Sequence, residues 1–157
     1  MSSPEPSTLA IVAPPPVLYS GTLLLGFAVH AVSPISLFPA SRAHVMVSGL
    51  VFVLSAAFAR WAFLTMRRSG TTANPRRPSE ALVTGGPFRF SRNPIYVAMT
   101  GLYVAFDFMA NSAWPLILLG PLLVLMDWGV IRREERYLSG KFGDAYTSYM
   151  SRVRRWL

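Results

Sequence analysis

Long runs of apolar residues, separated by short polar breaks, dominate the chain. Residues 17–38 contain no charged side chain over 22 positions. At a rise of about 1.5 Å per residue, a helix of this length crosses a hydrocarbon core of roughly 30 Å. A second apolar run covers residues 43–66 and is interrupted only by His44 and Arg60. The pattern therefore predicts two membrane-spanning helices in the first half of the chain.

Two further apolar runs follow, at residues 94–111 and 113–131, and only a short polar break near Asn111 separates them. A break this short predicts a tight antiparallel helical hairpin. Pro115 and Pro121 are expected to shape or kink the second arm. The predicted fold class is therefore an all-α integral membrane protein with about four transmembrane helices.

The segments between and around these runs are polar. Residues 67–93 are rich in Gly, Pro and Arg and too irregular to cross lipid, where unpaired backbone groups would be stranded. We expect a cytoplasmic loop there, and a flexible, proline-containing tail at residues 1–16. In residues 132–157, large apolar residues recur at spacings of three or four, which predicts a cytoplasmic C-terminal amphipathic helix. These residues are Tyr146, Tyr149, Val153 and Trp156. Residues 17–157 are thus expected to form one membrane-embedded domain.

Composition agrees with this pattern and narrows the chemistry. Of 157 residues, 52% are hydrophobic and 14% are charged, which suits a chain surrounded by lipid. There is no cysteine, so disulfides and thiolate metal clusters are excluded. His30 and His44 have no partner at metal-ligand spacing. We therefore predict structural roles for both histidines and no metal site.

The chain has a net charge of +8, and the positions of its basic residues indicate which side of the membrane the loops face. A basic chain can bind nucleic acid or anionic lipid, or can carry cytoplasmic membrane flanks. Thirteen of the fifteen basic residues lie in residues 67–92 and 132–155, each directly after a long apolar run. We therefore expect membrane flanks and no nucleic-acid partner. The positive-inside rule makes that side cytoplasmic, and four crossings place both termini there.

Three short segments carry the candidate chemistry. They are Arg92-Asn-Pro-Ile-Tyr96, the pair Glu134-Glu135, and Phe142-Gly-Asp-Ala-Tyr146. Together they resemble the C-terminal signature of the isoprenylcysteine carboxyl methyltransferase family, which is similar in turn to the membrane phospholipid methyltransferases. The likeness covers roughly residues 67–155.

Two positions depart from that signature. Asn93 stands where the family commonly has His, which excludes an imidazole proton relay, and Ala98 stands where Gly is common. Asn is a frequent alternative in bacterial relatives. We expect the protein to lie in a bacterial or archaeal cell membrane.

The resemblance implies a membrane enzyme that uses S-adenosylmethionine, held between the cytoplasmic ends of the last helices and the C-terminal segment. It implies a catalytic set of Arg92, Glu134 and Glu135. The cofactor-binding residues that it implies are Arg92, Asn93, Pro94, Tyr96, Asp127, Glu134, Glu135 and Tyr146.

The side chains themselves are suited to such roles. The planar guanidinium of Arg92 can pair with a carboxylate, although a contact with lipid phosphate would have the same chemistry. Glu134 and Glu135 point about 100° apart on a helix. One is expected to face the pocket, where a carboxylate could bind the cofactor's ammonium or fix Arg92 by an ion pair. The other is expected to meet a nearby arginine, at position 132, 133 or 136; the alternative is a solvated charge run.

Two aspartates fall inside apolar runs, where an ionisable group is a functional candidate by default. Asp127 lies seven residues before Glu134, so on a regular α-helix the two share a face. We expect Asp127 to line the cofactor pocket or a substrate tunnel. Asp107 lies close to the turn at Asn111 and is expected to reach water on the far side.

These observations lead to a functional hypothesis. We expect S-adenosylmethionine-dependent methyl transfer to a lipophilic small molecule or lipid that enters from the bilayer, with carboxyl O-methylation of an isoprenylcysteine-like substrate favoured. Phospholipid N-methylation is the alternative enzyme activity, and a non-catalytic lipid-binding or scaffold protein is the alternative outside enzymes. The oligomeric state stays open, because no Gly-x-x-x-Gly face occurs in the apolar runs.

Overall fold

The structure, a computed structural model, describes residues 13–39, 42–71 and 81–157. All regular elements within these ranges are helical. Three expected features lie wholly or partly outside the described residues. They are the tail before residue 13, the turn at residues 40–41 and the middle of the polar loop at residues 72–80.

Four apolar helices form the body of the protein. They are α1 (Pro15–Val32), α2 (Ala43–Arg68), α3 (Pro94–Ala110) and α4 (Ala113–Met126). A π-helical segment, Asp127–Ile131, joins α4 without a break to α5 (Arg132–Phe142), and α6 (Asp144–Met150) follows. In the polar loop, Gly86–Arg89 forms a 3-10 helix.

Three helical runs are long and apolar enough to cross a membrane by length and composition. They are Pro15–Val32, Ala43–Arg68 and the continuous run Ala113–Phe142. Helix α3 is also apolar but has only 17 residues, which is the lower limit for a span. Within the described residues the protein is therefore all-helical with three candidate spans, and the count of four crossings stays a prediction.

Helix α1 ends at Val32, earlier than the expected end at Phe38. Pro34 follows the last turn, and proline cannot continue a helix. The chain then runs along the turn between α3 and α4, where Asn111 adopts a left-handed conformation with φ of 49°. The Asn111 side chain accepts hydrogen bonds from the Leu37 and Phe38 amides, at 3.1 and 2.8 Å. These bonds replace the helical ones that the apolar pattern predicts.

Close backbone approach holds α1 against α4. A Cβ atom added at Gly26 of α1 would lie 2.8 Å from the backbone of Pro115. No atom lies within 4 Å of the corresponding position at Gly21, on the same helix. Helix α2 packs against α3, where the Ser48 hydroxyl donates a 2.7 Å hydrogen bond to the Ala105 carbonyl. Small residues therefore set the spacing of the bundle.

Two clusters of buried apolar side chains fill the interior. The first lies between α1, α3 and α4 and contains Tyr19, Tyr103, Leu119, Leu122, Met126 and Val130. The second lies under the C-terminal segment and contains Ala62, Val83, Phe88, Tyr146 and Tyr149. The second cluster fixes the polar loop and the C-terminal segment onto the end of the helical bundle.

The expected C-terminal amphipathic helix is shorter than predicted. Helix α6 ends at Met150, so Val153 and Trp156 lie after it. Tyr146 and Tyr149 face the protein interior, with exposures of 2% and 4%. The Tyr149 hydroxyl donates a 2.7 Å hydrogen bond to the Phe88 carbonyl in the polar loop. The spacing of aromatic residues therefore reflects burial against the loop.

Candidate functional site

Residues 90–93, called here the Arg92 loop, connect the 3-10 helix to α3. Backbone and side-chain hydrogen bonds hold this loop in place. Ser91 is fully buried, and its hydroxyl accepts a 3.0 Å hydrogen bond from the Asn93 amide. Pro94 occupies the first helical position, where its missing N–H has no cost. The Asn93 side chain donates to the Arg155 carbonyl at 2.9 Å. Asn93 and Pro94 therefore position the loop that presents Arg92.

Arg92 and Glu135 meet across the site, although they are far apart in the sequence. A guanidinium nitrogen of Arg92 lies 3.2 Å from the Glu135 carboxylate, and each side chain is 12% exposed. Within the described residues, the buried Nε of Arg92 has no hydrogen-bond partner. A donor without a partner is costly to bury. The described part of the chain thus provides no acceptor for this N–H group.

Arg155 is the second guanidinium of the site. Its Nε and Nη2 donate to the two oxygens of the Glu135 carboxylate, at 3.0 and 2.7 Å. Its Nη1 donates to Asp127 at 3.0 Å. The hydrogen bonds that Arg155 donates to Glu135 are the main cause of the raised pKa of Arg155. Such a bidentate pair fixes both partners in geometry as well as in charge.

Sequence reasoning did not single out Arg155. One signal could have identified it: three carboxylates, Asp127, Glu134 and Glu135, fall within two and a half helical turns at the end of an apolar run. Arg92 was the one arginine from a distant segment that was expected to pair with these carboxylates. Partly buried carboxylates need counter-charges, so a second distant arginine could have been expected.

The π-helical segment changes which residues share a face. In a π-helix the hydrogen bonds run from residue i to i+5, so each turn holds more residues than in an α-helix. Asp127 therefore shares a face with Glu135, eight residues later, and both bind Arg155. The prediction that Asp127 shares a face with Glu134 was wrong for this reason. Asp127 also accepts a 2.8 Å hydrogen bond from Arg132.

Glu134 faces a different part of the site from Glu135. One of its oxygens accepts a 2.7 Å hydrogen bond from the Tyr96 hydroxyl, on the first turn of α3. One turn further along α3, the Thr100 hydroxyl lies 2.8 Å from that of Tyr19 in α1. The sequence did not indicate that α1 takes part. The two adjacent glutamates therefore join α5 to two different elements, the Arg92 loop and α3.

Tyr146 lies next to the ionic cluster, which is formed by Arg92, Asp127, Glu135 and Arg155. It is 2% exposed, and its ring centroid is 6.0 Å from that of Tyr149. The pKa of Tyr146 is raised to about 12, mainly by burial and next by the negative charge of Glu135, while the positive charge of Arg92 opposes the rise. Tyr146 is therefore uncharged at neutral pH and serves as a rigid, apolar backing for the site.

A groove of about 570 Å³ opens beside the ionic cluster. This volume lies within the usual range for small-molecule sites, about 300 to 1,000 Å³. Its lining includes Trp128, Arg132, Glu135, Arg136, Met150 and Arg155. The Arg132 guanidinium lies 4.0 Å from the centroid of the exposed Trp128 ring. Glu135 is the predicted site residue that lines this groove, and Arg155 connects it to Asp127.

Asp107 lies outside this cluster and does not reach water as expected. It is 0% exposed, at the end of the bundle where α3 turns into α4. Its carboxylate interacts with the backbone amide of Leu116 in the first turns of α4. Neither oxygen has a hydrogen bond of ordinary geometry within the described residues. The carboxylate therefore faces the N-terminal end of α4, whose dipole favours negative charge.

Comparisons with known proteins found one relative and one family. An uncharacterized protein of Haemophilus influenzae (strain ATCC 51907 / DSM 11121 / KW20 / Rd) is 63% identical over 27 residues, which are 17% of this chain. The match spans 43% of that protein's length. Residues 43–145 match the sequence profile of the family described as phospholipid methyltransferase. This range runs from α2 to α6 and contains Arg92 and both glutamates. The chain therefore belongs to the phospholipid methyltransferase family, a family of membrane methyltransferases that includes relatives of the isoprenylcysteine enzymes.

Proposed function

We propose that the protein is an integral membrane enzyme that transfers a methyl group from S-adenosylmethionine to a lipophilic acceptor. The observation that carries the proposal is the contact of Arg92 with Glu135, at 3.2 Å beside a groove. It joins the two segments that the family resemblance assigns to the cofactor. The acceptor enters from the bilayer, and the cofactor enters from the cytoplasm.

The charged groups of the site fit the amino-acid head of the cofactor. The free Nε–H of Arg92 can donate to a carboxylate, and guanidinium is well shaped for this contact. Glu134 and Glu135 offer acceptors for an ammonium or for ribose hydroxyls. Arg92, Tyr96, Glu134 and Glu135 are therefore the proposed contacts. Asn93, Pro94, Asp127 and Tyr146 support these residues. Asn93 and Pro94 position the Arg92 loop, Asp127 binds Arg155, and Tyr146 is buried next to the cluster.

The chemistry needs few acid–base groups. When bound, the cofactor supplies a methyl group on a cationic sulfur, and the carbon–sulfur bond breaks as the acceptor's lone pair forms the new bond. The residues of the site bind and orient the two ligands, and such positioning can supply roughly 7 to 11 kcal/mol of the barrier. Tyr146 and its neighbours exclude water, which strengthens the electrostatic interactions inside the site.

The acceptor is either a carboxylate or an amine, and different residues favour each. The motif resemblance favours carboxyl O-methylation of an isoprenylcysteine-like substrate. A carboxylate is already a nucleophile and needs no base. An amine must lose a proton, and the Glu134 carboxylate, hydrogen-bonded to Tyr96, is placed to accept it. This pair supports phospholipid N-methylation as the second candidate.

Cofactor binding is tested by titration calorimetry of the purified protein in detergent. We expect the wild type to bind S-adenosylmethionine and Arg92→Ala to bind it roughly ten- to a hundredfold more weakly, because a hydrogen bond to a charged group is lost. Arg89→Ala is the matched control, since Arg89 is exposed in the same loop. Absence of binding by the wild type would contradict the proposal.

The acceptor is identified by methyl transfer from the radiolabelled cofactor to phosphatidylethanolamine vesicles and to a prenylcysteine analogue. For an amine acceptor, Glu134→Gln should lower the rate by roughly a hundredfold or more, the usual contribution of a general base. For a carboxylate acceptor, the same variant should retain most of the activity. Labelling of neither acceptor by a protein that binds the cofactor would support the non-catalytic alternative.

A further inference from the structure

The chain after α6 contacts both halves of the site. The Arg155 side chain binds Glu135 and Asp127 on the α5 side. The Arg155 carbonyl accepts hydrogen bonds from the Ser91 hydroxyl at 3.3 Å and from the Asn93 side chain at 2.9 Å. One residue therefore connects the carboxylates to the loop that carries Arg92.

A neighbouring backbone contact fixes the same loop. The Arg92 amide donates a 2.9 Å hydrogen bond to the Arg154 carbonyl. Arg92 is therefore held at two points: its main chain binds residue 154, and its side chain binds Glu135. Because Glu135 is itself held by Arg155, both contacts depend on the same two residues, Arg154 and Arg155.

We propose that Arg155 is a positioning residue for the methyl-transfer site, and that residues 154–155 form a clamp between the Arg92 loop and α5. The inference rests on the proposed function, because the geometry that the clamp maintains is that of the Arg92 guanidinium toward the cofactor. Arg155 itself need not touch the reacting atoms.

The charge arrangement explains why the clamp is needed. Glu135 is 12% exposed and shared by two guanidiniums, Arg92 and Arg155. Without Arg155, the carboxylate has one remaining ion-pair partner in the described part of the chain and little access to water. It is then free to rotate toward Arg92 and engage the donors that would otherwise meet a ligand. Asp127 keeps Arg132 as a partner, so the loss falls on Glu135.

The backbone and side-chain parts of the clamp can be separated by variants. Arg155→Ala removes the guanidinium and keeps both carbonyl contacts. A chain that ends at Val153 removes the carbonyls of residues 154 and 155 as well. Arg155→Lys keeps the charge without the fork that binds both oxygens of a carboxylate. Arg152→Ala is the matched control, since the exposed Arg152 bonds the local carbonyl of Ser148.

The test combines cofactor titration with hydrogen exchange of the ligand-free protein in nanodiscs. We expect Arg155→Ala to weaken S-adenosylmethionine binding roughly ten- to a hundredfold, with partial recovery in Arg155→Lys. Exchange in the peptide over residues 88–96 should stay slow in Arg155→Ala and become faster in the shortened chain. Arg152→Ala should match the wild type in both measurements.

The two proposals fail in different ways. Wild-type protein that binds no cofactor would overturn the proposed function. Wild-type protein that binds the cofactor, together with Arg155→Ala that binds it equally well, would overturn the positioning role alone. Unchanged exchange over residues 88–96 in the shortened chain would overturn the backbone part of the clamp. Unchanged exchange in the remaining helices of each variant shows that the protein is folded.

Discussion

Glu134 and Glu135 show how two identical neighbours acquire different tasks. Glu135 binds two guanidiniums and is part of an ionic cluster with little exposure. Glu134 binds the neutral hydroxyl of Tyr96. Glu135 is bound by two guanidiniums, whereas Glu134 is hydrogen-bonded at one oxygen by a single neutral hydroxyl. We therefore assign positioning of Arg92 to Glu135 and candidate proton transfer to Glu134.

Replacing Tyr96 with Phe tests the hydrogen bond between Tyr96 and Glu134, on which the second assignment rests. The ring remains, but the partly buried Glu134 oxygen loses its donor, which should lower the free energy of unfolding by about 1 to 3 kcal/mol. Denaturation of the purified protein in detergent measures this change. Tyr137→Phe is the control, because it removes a hydroxyl from another partly buried tyrosine, in α5. Equal stability of Tyr96→Phe and wild type would show that the hydrogen bond contributes nothing.

Sequence reasoning reached the partners of Arg92 but not those of Arg155. The suggestion that a glutamate fixes Arg92 by an ion pair agrees with the 3.2 Å contact to Glu135. Arg155 has no motif around it, and its partners lie 20 to 64 positions earlier in the chain. Contacts of this kind depend on how the C-terminal segment folds back. A periodic pattern contains no information on that path.

At the scale of elements, close contact between helices depends on single glycines. Gly26→Ala would place a Cβ 2.8 Å from the backbone of Pro115, and neither backbone can move without shifting a helix. Overpacking of this kind typically costs about 1 to 3 kcal/mol. Gly21→Ala on the same helix meets no atom within 4 Å and should be neutral or slightly stabilising.

The two alanine variants are compared by denaturation in detergent, under the same conditions as for Tyr96→Phe. A difference of less than about 0.5 kcal/mol between Gly26→Ala and Gly21→Ala would contradict the close approach of α1 and α4. Such a result would also remove the reason for α1 to present Tyr19 at the site.

The elements were predictable where the apolar pattern is long and contains no internal proline. The runs that became α2 and α3 are of this type. The pattern failed where a local conformation ended a helix early, as at Pro34 beside Asn111 in the case of α1. It failed again after Met150, because Val153 and Trp156, which continue the helical spacing, are partly buried without being helical. Apolar spacing reports burial, and hydrogen bonds decide the conformation.

At the scale of the whole molecule, the site lies at one end of the bundle. Gly86 of the polar loop lies against Thr65 near the end of α2, and Tyr19 near the start of α1 contacts Thr100 in α3. Residues 33–38 lie at the other end, beside the turn at Asn111. The basic residues concentrate at the site end, so we propose that this end and both termini face the cytoplasm.

This orientation can be tested with single cysteines, because the chain has none of its own. Ser151 is exposed at the site end and Ser36 at the other end. In inside-out vesicles, a membrane-impermeant maleimide should label Ser151→Cys and spare Ser36→Cys until detergent is added. The opposite labelling, or equal labelling of both, would contradict the proposed topology.

The π-helical segment at Asp127–Ile131 makes the site depend on the number of residues between Asp127 and Glu135, which both bind Arg155. Deleting one residue there would restore regular α-helical turns and would leave Glu135 on the same face as Asp127, seven residues after it instead of eight. Homologous chains without the extra residue should therefore carry their bridging acid one position earlier. An alignment that matches such chains column by column, with no gap in this segment, would pair residues that do different work.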